Sequence, residues 1–445
     1  MNSSKIITAL YKPVSAAPLQ VLRMAFGGVM FFGILRFFSK GWIHELYIQP
    51  KLFFSYYGFE FVKPLSGVGM YCVFAVMALA SLTFTLGYFY RISAVLFFLL
   101  FTYVELIDVS TYLNHYYFVS LFLLLFIFVP AGNNYTSNNI RPTAPALVPQ
   151  WCIIIFKLQL GIVYFYAGLA KLNADWLLEA LPLRIWLPAK NDFPLIGFLF
   201  NYKATAYVFS WAGAVYDLSI PFLLLYNRTR VFAFVTVVIF HLLTFLLFPI
   251  GMFPFIMIVS TLIFFPEGFH ETLLKTIKIP FKKFVTPRPR VERNSPKMNK
   301  LVIYMLGLFF IIQIVFPFRY LLYPGNLYWT EQGYRLSWRV MLMEKSGICA
   351  ITLVEPHTGK QWQPSNREFL SPLQEKQMAT QPDLILQYAH FLKNHYEKLN
   401  YKNLEVYAES YVTFNGRASR LFIDPSVNLA TQKEGWSNKN WILPF

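Results

Sequence analysis

Long apolar and aromatic stretches, each near the roughly 20 residues that cross a bilayer's hydrocarbon, alternate with short polar segments from Ala17 to Leu322. The pattern predicts about nine membrane spans. They run Ala17 to Phe38, Ser66 to Phe89, Ile92 to Leu106, Tyr112 to Val129, Gln150 to Leu172, Thr205 to Tyr226, Val231 to Phe248, Ile250 to Phe265 and Asn299 to Leu322. The third and eighth are short, which leaves their ends soft. From Tyr88 to Val129 there is no Gly or Pro, yet the segment is too long for one crossing. The polar cluster Asp108, Ser110, Thr111, Tyr112 and Asn114 is where it must turn.

Beyond Leu322 the period changes. GICAITLVEP alternates with period two, Thr358 and Gly359 mark a turn, and LEVYAESYVTFNG reads as a second strand. Between them DLILQYAHFLKNHY reads as an amphipathic helix, with Leu384, Leu386, Tyr388 and Phe391 available for packing. The expected architecture is therefore a polytopic α-helical membrane protein followed by a small α+β domain outside the cytoplasm. Residues 1–322 would form the multi-span domain that holds the site, and residues 323–445 the substrate-facing domain.

Composition agrees: 56% of residues are hydrophobic, 19% aromatic and only 14% charged. The formal charge of +17 does not indicate nucleic acid, because the cations collect at span edges and in one loop. That loop, Glu267 to Lys300, carries Lys275, Lys278, Lys282, Lys283, Arg288, Arg290, Arg293, Lys297 and Lys300, and should stay in the cytoplasm. Counting crossings back puts Lys5, Lys12, Arg91, Arg228 and Arg230 inside as well. Arg184, Lys190 and Lys203 fall outside, against the trend.

One span carries chemistry at helical spacing. Lys157, Gly161, Tyr164, Gly168 and Lys171 share a face, which should meet other helices or a cavity rather than lipid. An amine such as Lys171, held at a hydrocarbon boundary, loses solvation of its charged form and can serve as a base near neutral pH. The competing reading is a lysine that snorkels to the headgroups. His115 opens the fourth span at the same outer end at which Lys171 closes the fifth, so a cavity could open there. Arg23, Arg36, Glu105, Lys157, Asp217 and His241 are further ionisable residues within spans. Asp217 and Arg23 can act as structural pairs between helices, and His241, within VVIFHLLTFLLF, reads as a core histidine.

Other chemistries find no support. Cys72, Cys152 and Cys349 make no disulfide framework, and no metal-spaced cluster, phosphate loop or serine-hydrolase elbow occurs. The N-terminal apolar stretch is long enough to remain as a span, so no cleavable signal peptide is expected.

IVYFYAGLAKLNADW, with STYLNHYY before it, AVYDLSIPF and FPIGMFPF after it, and LYWTEQGYRLSW and LFIDPSVNLA later, resembles the vitamin K-dependent γ-glutamyl carboxylases and their bacterial relatives. The likeness keeps its order over nearly the whole chain. It implies an enzyme in which reduced vitamin K reacts with O2 and becomes the epoxide. The base so formed removes a proton from the γ-carbon of a protein glutamate, and the carbanion takes up CO2. By the same resemblance Lys171 is the base that activates the hydroquinone and His115 its neighbour. Asn114, Tyr164 and His241 are cofactor-binding candidates. Trp329, Tyr334, Ser337 and Trp338, in the loop WTxxxYxxSW, and Arg184, in RIW, are candidates for the glutamate side. No metal is expected.

Departures divide the picture. Where the animal enzymes carry a histidine and an arginine after that loop, this chain has Met343 and Lys345. Polar residues after the family histidine become Leu242, Leu243, Phe245 and Leu246, and a further outside region of the animal enzymes lies beyond the point equivalent to Phe445. Two alternatives therefore stand beside carboxylation: a quinol epoxidase without it, and a quinone- or lipid-binding membrane protein without catalysis. The expected setting is a bacterial inner membrane with the C-terminal domain outside, or an endoplasmic reticulum in a eukaryote. The expected partners are the lipid bilayer, the quinol and a glutamate-containing peptide.

Overall fold

The computed structural model describes residues 8–132, 147–276 and 300–445. Among the described residues seven helices are long and apolar enough to cross a membrane. They are α1 (Ala17–Ser39), α2 (Gly67–Leu86), α3 (Tyr90–Ile107), α5 (Trp151–Ala170), α6 (Lys203–Leu225), α7 (Arg230–Leu247) and α10, which begins as Lys300–Val315 and continues as a 3-10 turn through Leu322. Between α3 and α5 lies α4 (Asn114–Phe128), apolar but only 15 residues long, or about 22 Å at helical rise.

The expected eighth span is the point of difference. It forms α8 (Phe253–Thr261) and a 3-10 turn to Phe264, then bends by 119° into α9 (Glu267–Thr276). Pro266, where the break falls, cannot continue the first helix's hydrogen bonding. The second piece carries charge along an amphipathic face and so does not extend the apolar run. Most of the basic loop expected in the cytoplasm lies outside the described residues.

Small and polar side chains decide how the helices meet. A Cβ on Gly27 would collide with Thr85 Oγ1, which fixes a close crossing of α1 and α2. Beside it, buried Arg23 donates to the carbonyls of Phe84 (2.5 Å) and Thr85 (2.9 Å), satisfying the exposed end of α2. On α5 the stripe of Gly161 and Gly168 lies against α6: a Cβ at Gly168 would meet the Leu218 backbone nitrogen at 2.8 Å. The phenylalanines of α4 and α5 interdigitate, Phe122 and Phe126 lying 5.1 and 4.6 Å from Phe156. Because Phe126 is near the end of α4 and Phe156 near the start of α5, the two helices run antiparallel. His115 and Lys171 thus sit at the same end of the bundle.

The C-terminal domain is a four-stranded antiparallel sheet with two helices on one face. In chain order its strands are β1 (Lys345–Glu355), β2 (Lys360–Trp362), β3 (Glu405–Phe414) and β4 (Arg420–Leu421), arranged spatially β2-β1-β3-β4. Helices α11 (Pro372–Met378) and α12 (Pro382–Glu397) bury Met378, Leu384, Ile385, Tyr388 and Leu392 against Cys349, Ile351, Val406 and Ala408. Polar contacts seat this domain on the bundle. Asp175, just past α5, accepts from Asn415 Nδ2 at 2.7 Å and from Arg417 at 2.9 and 2.5 Å. Asp108 accepts from Gln374 at 2.7 Å, and Gln387 exchanges two hydrogen bonds with the Ser55 backbone.

Candidate active site

Where the domain meets the bundle there is a cavity of about 670 Å³, within the range that holds cofactors. Its bundle side is mostly apolar, including Met30, Ile34, Phe37, Phe74, Met77 and Phe101. Its rim is polar: Glu105, Asn114 and His115 from α3 and α4, and Glu331, Tyr334 and Arg335 from the segment that leads into β1.

The two candidates on α4 occupy different situations. Asn114 is a staple, its Nδ2 donating to the Arg339 carbonyl at 2.8 Å and its Oδ1 accepting from Tyr112 Oη at 2.9 Å. Tyr112 Oη in turn accepts from the Leu336 backbone N–H at 2.8 Å. His115 has no such tie. Its ring rests against Tyr116 (4.7 Å) and Phe253 (5.6 Å), and neither nitrogen is hydrogen-bonded to a described residue. Glu105 also faces the cavity, holding Ser120 Oγ at 2.6 Å.

Lys171 lies behind this wall and is not a solitary amine. Its Nζ donates to Asp217 Oδ2 at 2.6 Å and to the Ala167 carbonyl at 3.3 Å, and it stands 5.3 Å from the Trp176 ring. The ion-paired side chains are 8% and 7% exposed, so Lys171 does not snorkel. Pairing between α5 and α6 also answers what Asp217 does: it is the partner of Lys171. Two helical turns away, Tyr164 Oη is 3.1 Å from His241 Nε2, while His241 Nδ1 is buried without a partner among the described residues. Phe253 stands between the two histidines, 5.7 Å from His241 and 5.6 Å from His115. Tyr164 and His241 are therefore one ring removed from the cavity.

The residues expected on the glutamate side do not form one surface. Tyr334 lines the cavity. Trp329 does not: fully buried, it packs on Phe414, Phe422 and Phe445 and donates to the Leu443 carbonyl at 2.8 Å, a core residue of the C-terminal domain. Trp338 is stacked on Tyr117 at 4.9 Å inside the bundle's apolar core, and Ser337 donates back to the Tyr334 carbonyl. Arg184 pairs with Glu179 at 3.2 Å beside Arg417, away from the cavity. Aromatic and small residues in this loop serve its shape. Glu331, Leu336, Trp338 and Met341 all have left-handed φ, between 54° and 60°, a conformation that non-glycine residues hold only when their surroundings fix it.

Two departures from the family pattern have different consequences. Met343 lines the cavity. Lys345 is enclosed by Glu331 Oε1 (2.8 Å) and the carbonyls of Trp329 (3.0 Å) and Thr380 (2.8 Å). Burial draws its pKa down and Glu331 partly restores it. This lysine clamps the loop to the domain. Among arginines the pattern alone did not single out, Arg335 pairs with Asp383, and burial of that carboxylate is outweighed by the arginine, leaving its pKa below the ordinary value. Their one sequence signal was two cations inside an otherwise aromatic loop. No cluster able to hold a metal ion occurs among the described residues.

The family model described as HTTM domain matches residues 11–269, more than half of the chain. The model described as Vitamin K-dependent gamma-carboxylase, lumenal domain, matches residues 298–445. No solved structure matches the chain. The membrane helices, the sheet domain seated on them and these two matches in sequence agree: this multi-pass membrane protein belongs to the vitamin K-dependent γ-glutamyl carboxylase family.

Proposed function

We propose that the chain is a vitamin K hydroquinone-dependent enzyme that couples epoxidation of the quinol by O2 to γ-carboxylation of glutamyl residues. The observation that carries this reading is a histidine, neither nitrogen hydrogen-bonded to a described residue, in the lining of a cavity that is apolar on its bundle side. The cavity's chemistry fits a hydroquinone: polar groups cluster at one side, and aromatic and aliphatic walls suit an isoprenoid or phytyl tail. When bound with O2, the hydroquinone supplies the strong base that no side chain here could provide.

The residues then take separable tasks. According to its tautomer, the His115 nitrogen that faces the ligand would either accept a hydroxyl proton and, once protonated, hold the resulting oxyanion, or donate its N–H to a quinol oxygen. Asn114 keeps Tyr112 and the Arg339 carbonyl in place, so the loop seals the head-group end from water. Lys171 remains the candidate activating base, with a condition the ion pair imposes: Nζ can accept a proton only after its own has passed to Asp217 Oδ2 or away. Tyr164 and His241 link that pair's helix to Phe253 and hold the wall between the two groups.

Met343 and the enclosed Lys345 favour a second reading, quinol epoxidation without peptide carboxylation, because neither supplies the family's histidine or arginine to a substrate. Purified protein incubated with reduced vitamin K, O2, labelled bicarbonate and a glutamate-rich peptide distinguishes them. Epoxide with incorporated label is expected. Epoxide without label supports the second reading, and neither product refutes both. The C-terminal domain would face the outside of a bacterial inner membrane, or the lumen in a eukaryote.

A further inference from the structure

Several buried cations here are matched by carbonyl or carboxylate oxygen, and Arg339 is held differently. Arg23 has the carbonyls of α2, Arg335 has Asp383 and Lys345 has Glu331. Arg339 is only 8% exposed, yet among the described residues no carboxylate lies within ion-pair distance and its buried Nε has no hydrogen-bond partner. Its guanidinium meets the neutral Tyr328 hydroxyl and lies over two rings, 4.4 Å from the centroid of Tyr320 and 5.8 Å from that of Tyr328. Cation–π contacts of this kind are worth about 0.5–2 kcal/mol each, less than the several kcal/mol that removing a charge from water costs. Ring contact covers the faces of a guanidinium and leaves its N–H edges available to an anion.

Its position gives that edge a purpose. The Arg339 backbone carbonyl receives Asn114 Nδ2 (2.8 Å) and Tyr334 Oη (3.3 Å), both from the cavity wall. Tyr328, beside the guanidinium, donates to the carbonyl of Ala170 at 2.8 Å, one residue before Lys171. Arg339 thus stands where the cavity wall meets the end of α5.

We propose that Arg339 is the receptor for the side-chain carboxylate of the glutamyl peptide. This rests on the carboxylase reading and assigns its substrate side to a residue outside the motif WTxxxYxxSW. Of the other cations in that loop, Lys345 is engaged by Glu331 and Arg335 by Asp383, while Arg36 lines the cavity from α1, over the ring of Trp42. A planar carboxylate matches the paired N–H groups of a guanidinium and fits between flat rings, whereas a tetrahedral phosphate is bulkier in every direction. A flexible glutamyl stem would bring the carboxylate in and leave the peptide backbone outside.

The test reads binding, with protein in lipid nanodiscs titrated by a labelled glutamyl peptide and by the same peptide with Gln at each Glu. Wild type should bind the Glu peptide at least about tenfold more tightly, the scale of one charge-assisted pair. Arg339→Gln should erase that preference and Arg339→Lys, which keeps the charge without the fork, should retain part of it. A preference intact in Arg339→Gln, or absent in wild type, overturns the assignment. Phenylglyoxal labelling of the unmutated protein, mapped by mass spectrometry, gives a measure independent of how the variants fold. Arg339 should be protected by the Glu peptide and not by the Gln peptide, and equal labelling under both refutes the proposal. Neither measurement needs turnover. A failure to form epoxide or incorporate label therefore counts against the carboxylase reading alone, and Arg339 is judged by binding.

Discussion

The Lys171–Asp217 pair should behave as one unit, and removing one member should be worse than removing both. At 2.6 Å with an effective dielectric near 20, the gross attraction is about 6 kcal/mol, opposed by the desolvation of two side chains that are 8% and 7% exposed. Asp217→Asn leaves a buried ammonium, and Lys171→Met a buried carboxylate, each expected to cost about 3–5 kcal/mol. Lys171→Met with Asp217→Leu leaves no charge and should lie within about 1–2 kcal/mol of wild type, giving a coupling of at least about 3 kcal/mol. Equilibrium unfolding in mixed micelles, with thermal midpoints as a second readout, measures the cycle. Epoxide formation then separates stability from chemistry: the double variant regains the fold and stays inactive. Lys171→Ala should lower epoxidation at least about a hundredfold, with partial rescue by small exogenous amines. Additive stability effects would refute the pairing argument, and full epoxidation by folded Lys171→Ala would remove Lys171 from the mechanism.

Three other outcomes follow from the packing and the charges. Gly168→Ala should destabilise by about 1–3 kcal/mol, because its Cβ would meet Leu218 at 2.7–2.9 Å, whereas Gly28→Ala, which meets nothing within 4 Å, should be nearly neutral by the same unfolding assay. Burial works to raise the Asp175 carboxyl, but hydrogen bonds from Arg417 and Asn415 hold its pKa below the ordinary value. Its contribution is therefore complete above about pH 4 and disappears as pH falls through the lowered folded value; the midpoint gap between wild type and Asp175→Asn should close in that acid window, and a gap that persists there refutes the latch. Cysteine labelling of sealed vesicles should reach a probe at Lys360 from outside and one at Lys283 only after permeabilisation, and the reverse pattern would invert the proposed orientation.

Much of this arrangement was legible because hydrophobic periodicity is a local property. Seven of the nine expected spans, the strand alternation in β1 and the helix α12 follow from short windows and appear within a few residues of the expected bounds. The stripe on α5 was also legible, since spacing alone puts Lys157, Gly161, Tyr164, Gly168 and Lys171 on one face. Its partners were not. Nothing in α5 says that Lys171 meets Asp217, because that contact depends on how Gly168 lets α6 approach. The bend after Phe264 escaped for a related reason: the apolar run ends near Pro266 in the sequence, but the 119° change of direction there is set by the backbone break and the packing.

The glutamate side was the least legible, and the reason bears on how the two chemistries are coupled. Motif likeness singled out Trp329, Ser337 and Trp338 as contacts, but their side chains build the loop that carries Tyr334 and Arg339. Trp338 belongs to the bundle core through Tyr117, Trp329 to the C-terminal core through Phe414 and Phe422, and the segment between them closes the cavity. Asn114, beside His115, fixes that same segment through the Arg339 carbonyl. A change at Trp338 therefore cannot be confined to peptide binding, because the ring that positions the loop also positions the wall around His115. The quinol end and the proposed glutamate end share one backbone, with four non-glycine residues held in the left-handed region. Separating them requires a side chain whose removal leaves that backbone alone, and Arg339 qualifies because its guanidinium lies beyond the hydrogen bonds that its carbonyl makes.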